Sequence, residues 1–290
     1  MKKIIIISLL AGVIGFTSCD PVEKDYSTNQ SYITADQLKA ASSVTVYQEN
    51  GQNINYVHFT TSAGAPVQWT NGATSKASAT GDMEMLVTGE QSMKVTALNP
   101  DGTKVTAEFP VNIEKISDAH PVAAQWGYLC GTGSKSWTWD DQTGHVWGNM
   151  GYLSSAGGAA TVLSDGGWWG TTADDIANQA SNYKYSLNDS GSATMTFSLN
   201  GSSLTKSSGG TGTFAFDMTK IKKNGDGTNW SIGQLTTTGD GVLFPVQINT
   251  GTVVKSLEIR YLDDNYMVLT YASSTTGAWG EATYWHFKAK

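Results

Sequence analysis

From Ser43 onward, apolar and polar residues alternate over short runs, the period of half-buried β-strands rather than of helices. The segments SVTVYQE, INYVHFTT, PVQWT, MEMLVT, SMKVTAL and TKVTAEFPVNI each send successive side chains to opposite faces. Turn residues divide them, notably Glu49-Asn50-Gly51, Asn71-Gly72 and Pro100-Asp101-Gly102. The last two flank NPDG and alternate on both arms, which predicts a hairpin. A short helix is expected ahead of them over TADQLKAA, 34–41.

Beyond SDAHPVAAQ (117–125), a linker by composition, the alternation resumes in SKSWTWDD, SATMTFSLNG, GTGTFAFDM, GVLFPVQINT, KSLEIRYLDD, YMVLTYAS and TYWHFKA. Turns rich in glycine, serine and threonine separate them. TTADDIANQA (171–180) is the one further segment with helical character. Many short strands without βα units point to a sandwich or jelly roll.

The first residues read differently. Lys2 and Lys3 precede an apolar run from Ile4 to Phe16, too short to span a bilayer comfortably but suited to a secretory signal. Phe16-Thr17-Ser18-Cys19 resembles a bacterial lipobox, which implies lipidation of Cys19 after cleavage. Asp20, Glu23 and Asp25 resemble the acidic export tag of surface-exposed lipoproteins of the Bacteroidetes. The formal charge is −7, and removing residues 1–18, with two lysines and no acid, leaves 16 minus 25, or −9. So acidic a chain is unsuited to binding nucleic acid through its phosphates. Cys130 is then the one cysteine besides the anchor, which excludes a disulfide framework and a cysteine-rich metal site.

GEQSMKVTALNPDGTKVTAEFPVNI resembles the last hairpin of PKD and other immunoglobulin-like domains, which implies a spacer over 43–115. The expected organisation is a signal peptide (1–18), a lipidated tether (19–37), a PKD or immunoglobulin-like sandwich (38–116), the linker (117–125) and a larger β-sandwich or jelly-roll domain (126–290). The fold class is all-β.

Nine of the ten tryptophans follow the linker. Trp137 and Trp139 sit two apart on an expected strand and share a face, as do Trp285 with Phe287 and Phe214 with Phe216. These read as core, and so does Trp69 in the first domain, whereas Trp126 is ambiguous. Trp147, Trp168, Trp169 and Trp279 instead lie in glycine-flanked segments without alternation, GGWWGTT among them. Glycine lets the backbone turn sharply and leaves the indole uncovered. The alternative is that these loops fold back and plug the ends of the sandwich.

Flat aromatic surface beside polar side chains suits a pyranose, whose C–H face stacks while its hydroxyl rim is gripped. Burying about 50–80 Å² per stacked ring contributes on the order of 1–2 kcal/mol at roughly 25 cal/mol/Å². The nearby polar candidates are Asp141, His145, Asn149, Asp165 and Glu281. Of the adjacent indoles, one is expected to face the ligand and the other to prop the loop.

GTGSKSWTWDDQTGHVWGNMGY, GGWW and WGEATYWHFK resemble the C-terminal module of surface glycan-binding lipoproteins encoded in polysaccharide-utilisation loci of Bacteroidetes. The resemblance implies an outer-membrane lipid anchor, a spacer and a terminal β-sandwich that binds a polysaccharide without cutting it. It also implies contact through the loop tryptophans; an outer-membrane uptake complex is the further partner expected if those aromatics form a protein interface. A β-glucan is favoured, with starch-like and mannan ligands left open.

Two other classes compete. A jelly-roll glycoside hydrolase needs two opposed carboxylates, yet Asp140-Asp141, Asp174-Asp175 and Asp263-Asp264 are adjacent pairs. Glu281 with Asp165 is the formal remaining pair. A protein-binding surface subunit would use the same aromatics as an interface. Four scattered histidines give no metal-site spacing, and NGDGTN (224–229) lacks the spacing and terminal Glu of a calcium loop, so no cofactor or metal is expected.

Overall fold

A computed structural model describes residues 32–142, 144–153, 167–273 and 280–290. The signal segment and Cys19 lie outside the described residues. The chain is all-β, its three described α-helices being only 6, 6 and 7 residues long.

Helix α1 (Ala35–Ala40) starts where Thr34 accepts from the Gln37 amide at 3.2 Å and the Gln37 side chain accepts from the Thr34 amide at 2.9 Å. This capping box satisfies two donors that the first helical turn leaves unpaired. Strands β1 (Ser42–Glu49), β2 (Gln52–Thr61), β3 (Val67–Thr70), β4 (Ser75–Lys76), β5 (Thr80–Glu84), β6 (Gly89–Leu98) and β7 (Lys104–Ile113) follow. They form two sheets ordered β1-β2-β5 and β4-β3-β6-β7. The NPDG hairpin pairs from Leu98 with Lys104 out to Gly89 with Ile113. Trp69 is core as expected, stacked on Phe59 at 4.9 Å. The segment after β7 stays close to it: the Asn55 side chain donates to the His120 carbonyl at 2.9 Å, and the His120 ring stacks on Tyr56 at 3.7 Å.

The remaining elements are α2 (Gln125–Cys130), β8 (Ser134–Trp139), β9 (Trp147–Tyr152), β10 (Trp169–Thr171), α3 (Ile176–Asn182), β11 (Thr194–Ser198), β12 (Ser203–Lys206), β13 (Thr211–Asp217), β14 (Gly233–Thr237), β15 (Ser256–Leu262), β16 (Tyr266–Tyr271) and β17 (Gly280–Ala289). Strands β11 to β17 run as an antiparallel meander, and β8 joins β11 to β17 to close an eight-stranded barrel. The sequence suggested two packed sheets or a jelly roll here. Both a barrel and a sandwich bury one face of every strand, so alternation alone does not separate them; the β8–β17 pairing does.

The barrel interior takes the residues that alternation assigned to it. Trp137, Trp139, Trp285, Phe214 and Phe287 are buried, and each of those indoles donates to a main-chain carbonyl, of Leu129, Asp189 and Phe244 respectively. Phe216 is only half-buried and meets Trp126 at 4.1 Å. Cys130 is enclosed as well, and burial pushes its thiol up to about 12, so it has no nucleophilic character.

GVLFPVQINT, expected as a strand, is instead an irregular plug over 241–250. Pro245 cannot donate to a ladder, and Gly241, Phe244 and Asn249 have positive φ. Part of its buried main chain is satisfied by side chains packed around it. Trp285 and Trp147 donate to the carbonyls of Phe244 and Val246, while the amides of Phe244 and Ile248 donate to Asp189 and Thr283. Apolar character told of burial, and proline with side-chain partners decided against a ladder.

Among the described residues, one ion pair is fully enclosed. Lys206 and Asp189 meet at 2.9 Å with both side chains 0% exposed. Asp189 also accepts from Tyr185, Ser208 and the Phe244 amide, so its lone pairs are occupied. Burial lowers the Lys206 ammonium, while Asp189 acts in the opposite direction. Lys206→Met would leave the carboxylate without its cation, and we expect a loss of about 3–5 kcal/mol in a denaturant melt. A loss below about 1 kcal/mol would show that the pair carries no weight in the fold.

Candidate functional site

Strand β9 lies between β17 and β10, and the pairing register defines one continuous face. Across β17, Trp147 faces Trp285, Asn149 faces Thr283 and Gly151 faces Glu281. Across β10, Asn149 faces Trp169 and Trp147 faces Thr171. Because side chains alternate, Trp147, Asn149, Trp169, Glu281 and Trp285 all project from the same side. The barrel's inner face is thereby carried beyond its wall, and the polar residues lie at the outer end.

Glycine makes this extension possible, for a reason other than sharp turning. A Cβ on Gly148 would lie 2.1 Å from the Trp169 carbonyl, and one on Gly170 would lie 2.2 Å from the Tyr284 hydroxyl. The back of β9 and β10 therefore presses on Tyr284 so closely that no side chain fits.

Opposite that face stand α3 and the end of the plug. Asn149, Trp169, Gln179, Tyr183, Ile248 and Asn249 line a cleft of about 260 Å³. Asn249 has φ of 62°, a conformation that asparagine tolerates better than most residues. The Tyr183 hydroxyl accepts from the Asn249 amide at 2.9 Å. Glu281 Oε1 accepts from the Asn149 and Asn249 side-chain amides at 2.8 and 2.7 Å. Asn149 Oδ1 is buried and has no hydrogen-bond partner, so the wall of the cleft carries an unsatisfied acceptor. Gln179 donates to Asp175, whose carboxyl is held below the usual range by Thr171, then Asn178 and Gln179.

Of the residues singled out from the sequence, Trp169, Asn149 and Glu281 come together. Trp147 does not join them as a contact. It is 0% exposed on a strand, gripped through its Nε1 by Val246, and the structure corrects its reading as a loop platform. The Trp169 ring meets it edge-on at 6.1 Å and the Tyr183 ring at 6.0 Å, so Trp147 is the prop on which both cleft aromatics rest. Trp168 and Trp169 are 60% and 45% exposed, so neither is the buried prop expected of one of them. Trp168 precedes β10 and does not line the cleft.

His145 packs behind Gly170, away from the cleft. Asp141 pairs with Lys288 in a separate depression beside Thr138, Asp174 and Ser192. Asp165 and Trp279 lie outside the described residues. Gln179, Tyr183 and Asn249 escaped the sequence reading. Gln179 on α3 and Tyr183, the residue capping its C-terminus, are four apart and so share one side of that turn, a signal present in ANQASNY. Nothing local marks Asn249.

Among the described residues, no group of three or more His, Cys, Asp or Glu converges in a metal-binding arrangement. The chain matches no protein-family model and no curated protein sequence. The division between prop and platform is measurable: Trp147→Ala should cost about 3–5 kcal/mol of stability, and Trp169→Ala less than about 1 kcal/mol. Equal losses in denaturant midpoints would contradict it.

Proposed function

We propose that this chain is a surface-anchored protein that captures a polysaccharide without cutting it, with the Trp169 cleft as its contact site. One observation carries the reading: a half-exposed indole stands beside a buried, unpartnered amide oxygen in a cleft otherwise lined by amide, phenol and aliphatic groups. An indole covers the apolar face of a sugar ring, and hydrogen-bonding groups at its rim grip hydroxyls. The cleft's size suits one or two rings of a longer chain, with the remainder in solvent.

The order β1-β2-β5 facing β4-β3-β6-β7 supports an immunoglobulin-type spacer ahead of the binding domain. The lipobox-like Phe16–Cys19 and the acids after it support an outer-membrane, surface-exposed location and an uptake complex as neighbour. A β-glucan is the favoured ligand, since equatorial hydroxyls leave the ring face open to the indole.

Against a hydrolase, Asp175 is held ionised by three hydrogen-bond donors, unlike an acid poised to protonate a leaving group. Glu281 commits Oε1 to two asparagine amides. A protein-binding role has one observation in its favour: Trp168 is the more exposed indole and stands away from the cleft.

Affinity gels cast with soluble β-glucan, mannan or starch test the proposal. Trp169→Ala should bind the retarding polysaccharide at least several-fold more weakly, whereas Trp168→Ala should bind like the parent. Retardation lost with Trp168→Ala and kept with Trp169→Ala would move the site to Trp168, and no retardation by any glycan would sink the proposal. For the anchor, Cys19→Ala should leave the membrane fraction and keep its binding; membrane retention would rule out lipidation there.

A further inference from the structure

We infer that the Trp169 cleft is selective for uncharged sugar units and rejects uronate or sulfated ones, an inference that rests on the glycan-binding reading of the same site. Glu281 is the group that sets this preference. A carboxylate only accepts hydrogen bonds, so its contacts at 2.8 and 2.7 Å must be to the nitrogens of Asn149 and Asn249. This fixes which way both amides point and leaves both amide oxygens as acceptors. Asn149 Oδ1, buried and unpartnered, is the innermost of them.

Each asparagine keeps a second amide hydrogen and an amide oxygen, so the wall can both give to and accept from sugar hydroxyls. Charge decides which sugars fit. No lysine or arginine lines the cleft, Glu281 stands directly behind the two asparagines, and the chain as a whole is acidic. An anionic sugar would meet like charge at short range with no cation to offset it. Specificity of this kind is built from a repulsive group.

The experiment uses a neutral polysaccharide that the protein retains, the same polymer oxidised at C6 to the uronate, and the methyl ester of that uronate. The neutral form should bind at least tenfold more tightly than the uronate. The methyl ester, which cancels the charge, should recover part of the loss. Glu281→Gln should narrow the gap between neutral and uronate forms, and so should raising the salt from low to several hundred millimolar, since added ions screen the repulsion. Equal affinity of the parent protein for neutral and uronate polymers would overturn this inference while leaving the cleft as the glycan site, provided Trp169→Ala still weakens both. Preference for the uronate would overturn it outright. Failure to bind any neutral or oxidised polymer would overturn the glycan reading itself.

Discussion

Strand β17 pairs along one edge with β16 and divides its other edge between β9 and β8. The rest of the second half depends on that division. Its last residues, Phe287 to Ala289, meet β8 and close the barrel. Its earlier residues, Gly280 to Trp285, meet β9, which with β10 leans outward as an extension of the wall. Closure removes the edges that an open meander would expose. The split leaves the inner face partly outside the barrel, where it can meet solvent.

Packing then grades that face from dry to wet. At the inner end, Trp285 and Trp147 are buried and give their indole N–H groups to the plug. At the outer end, Asn149, Trp169 and Glu281 border open space. The plug serves both regions, since Phe244 and Val246 accept from the tryptophans while Ile248 and Asn249 form a wall of the cleft. Its position is tied to the enclosed Lys206–Asp189 pair through the Phe244 amide. A buried charge pair is a costly way to hold a segment, but its need for complete hydrogen bonding gives the plug one allowed placement.

The all-β class, the hairpin at NPDG and the inward set Trp137, Trp139 and Trp285 were legible because alternation reports directly on which face is buried. Closure into a barrel was not, because it depends on a pairing between residues 137–139 and 287–289 that leaves no local mark. Trp147 was misplaced for a physical reason: glycine beside an indole was read as a turn, whereas Gly148 and Gly170 are close-approach positions against Tyr284 and Trp169. The site was half legible. Trp169, Asn149 and Glu281 stood out by composition, while Gln179, Tyr183 and Asn249 reach them from elements whose placement only the fold determines.

On this reading a glycan sits on Trp169 and against the Asn149–Glu281–Asn249 group. An NMR titration with an oligosaccharide of the bound polymer tests that placement, because every indole N–H and side-chain amide reports separately. The Trp169 indole and the Asn149 and Asn249 side-chain amides are expected to shift with ligand, while the indoles of Trp69, Trp137 and Trp139 stay in place. Shifts centred on Trp168, or on the small sandwich, with Trp169 and both asparagines unmoved, would contradict it.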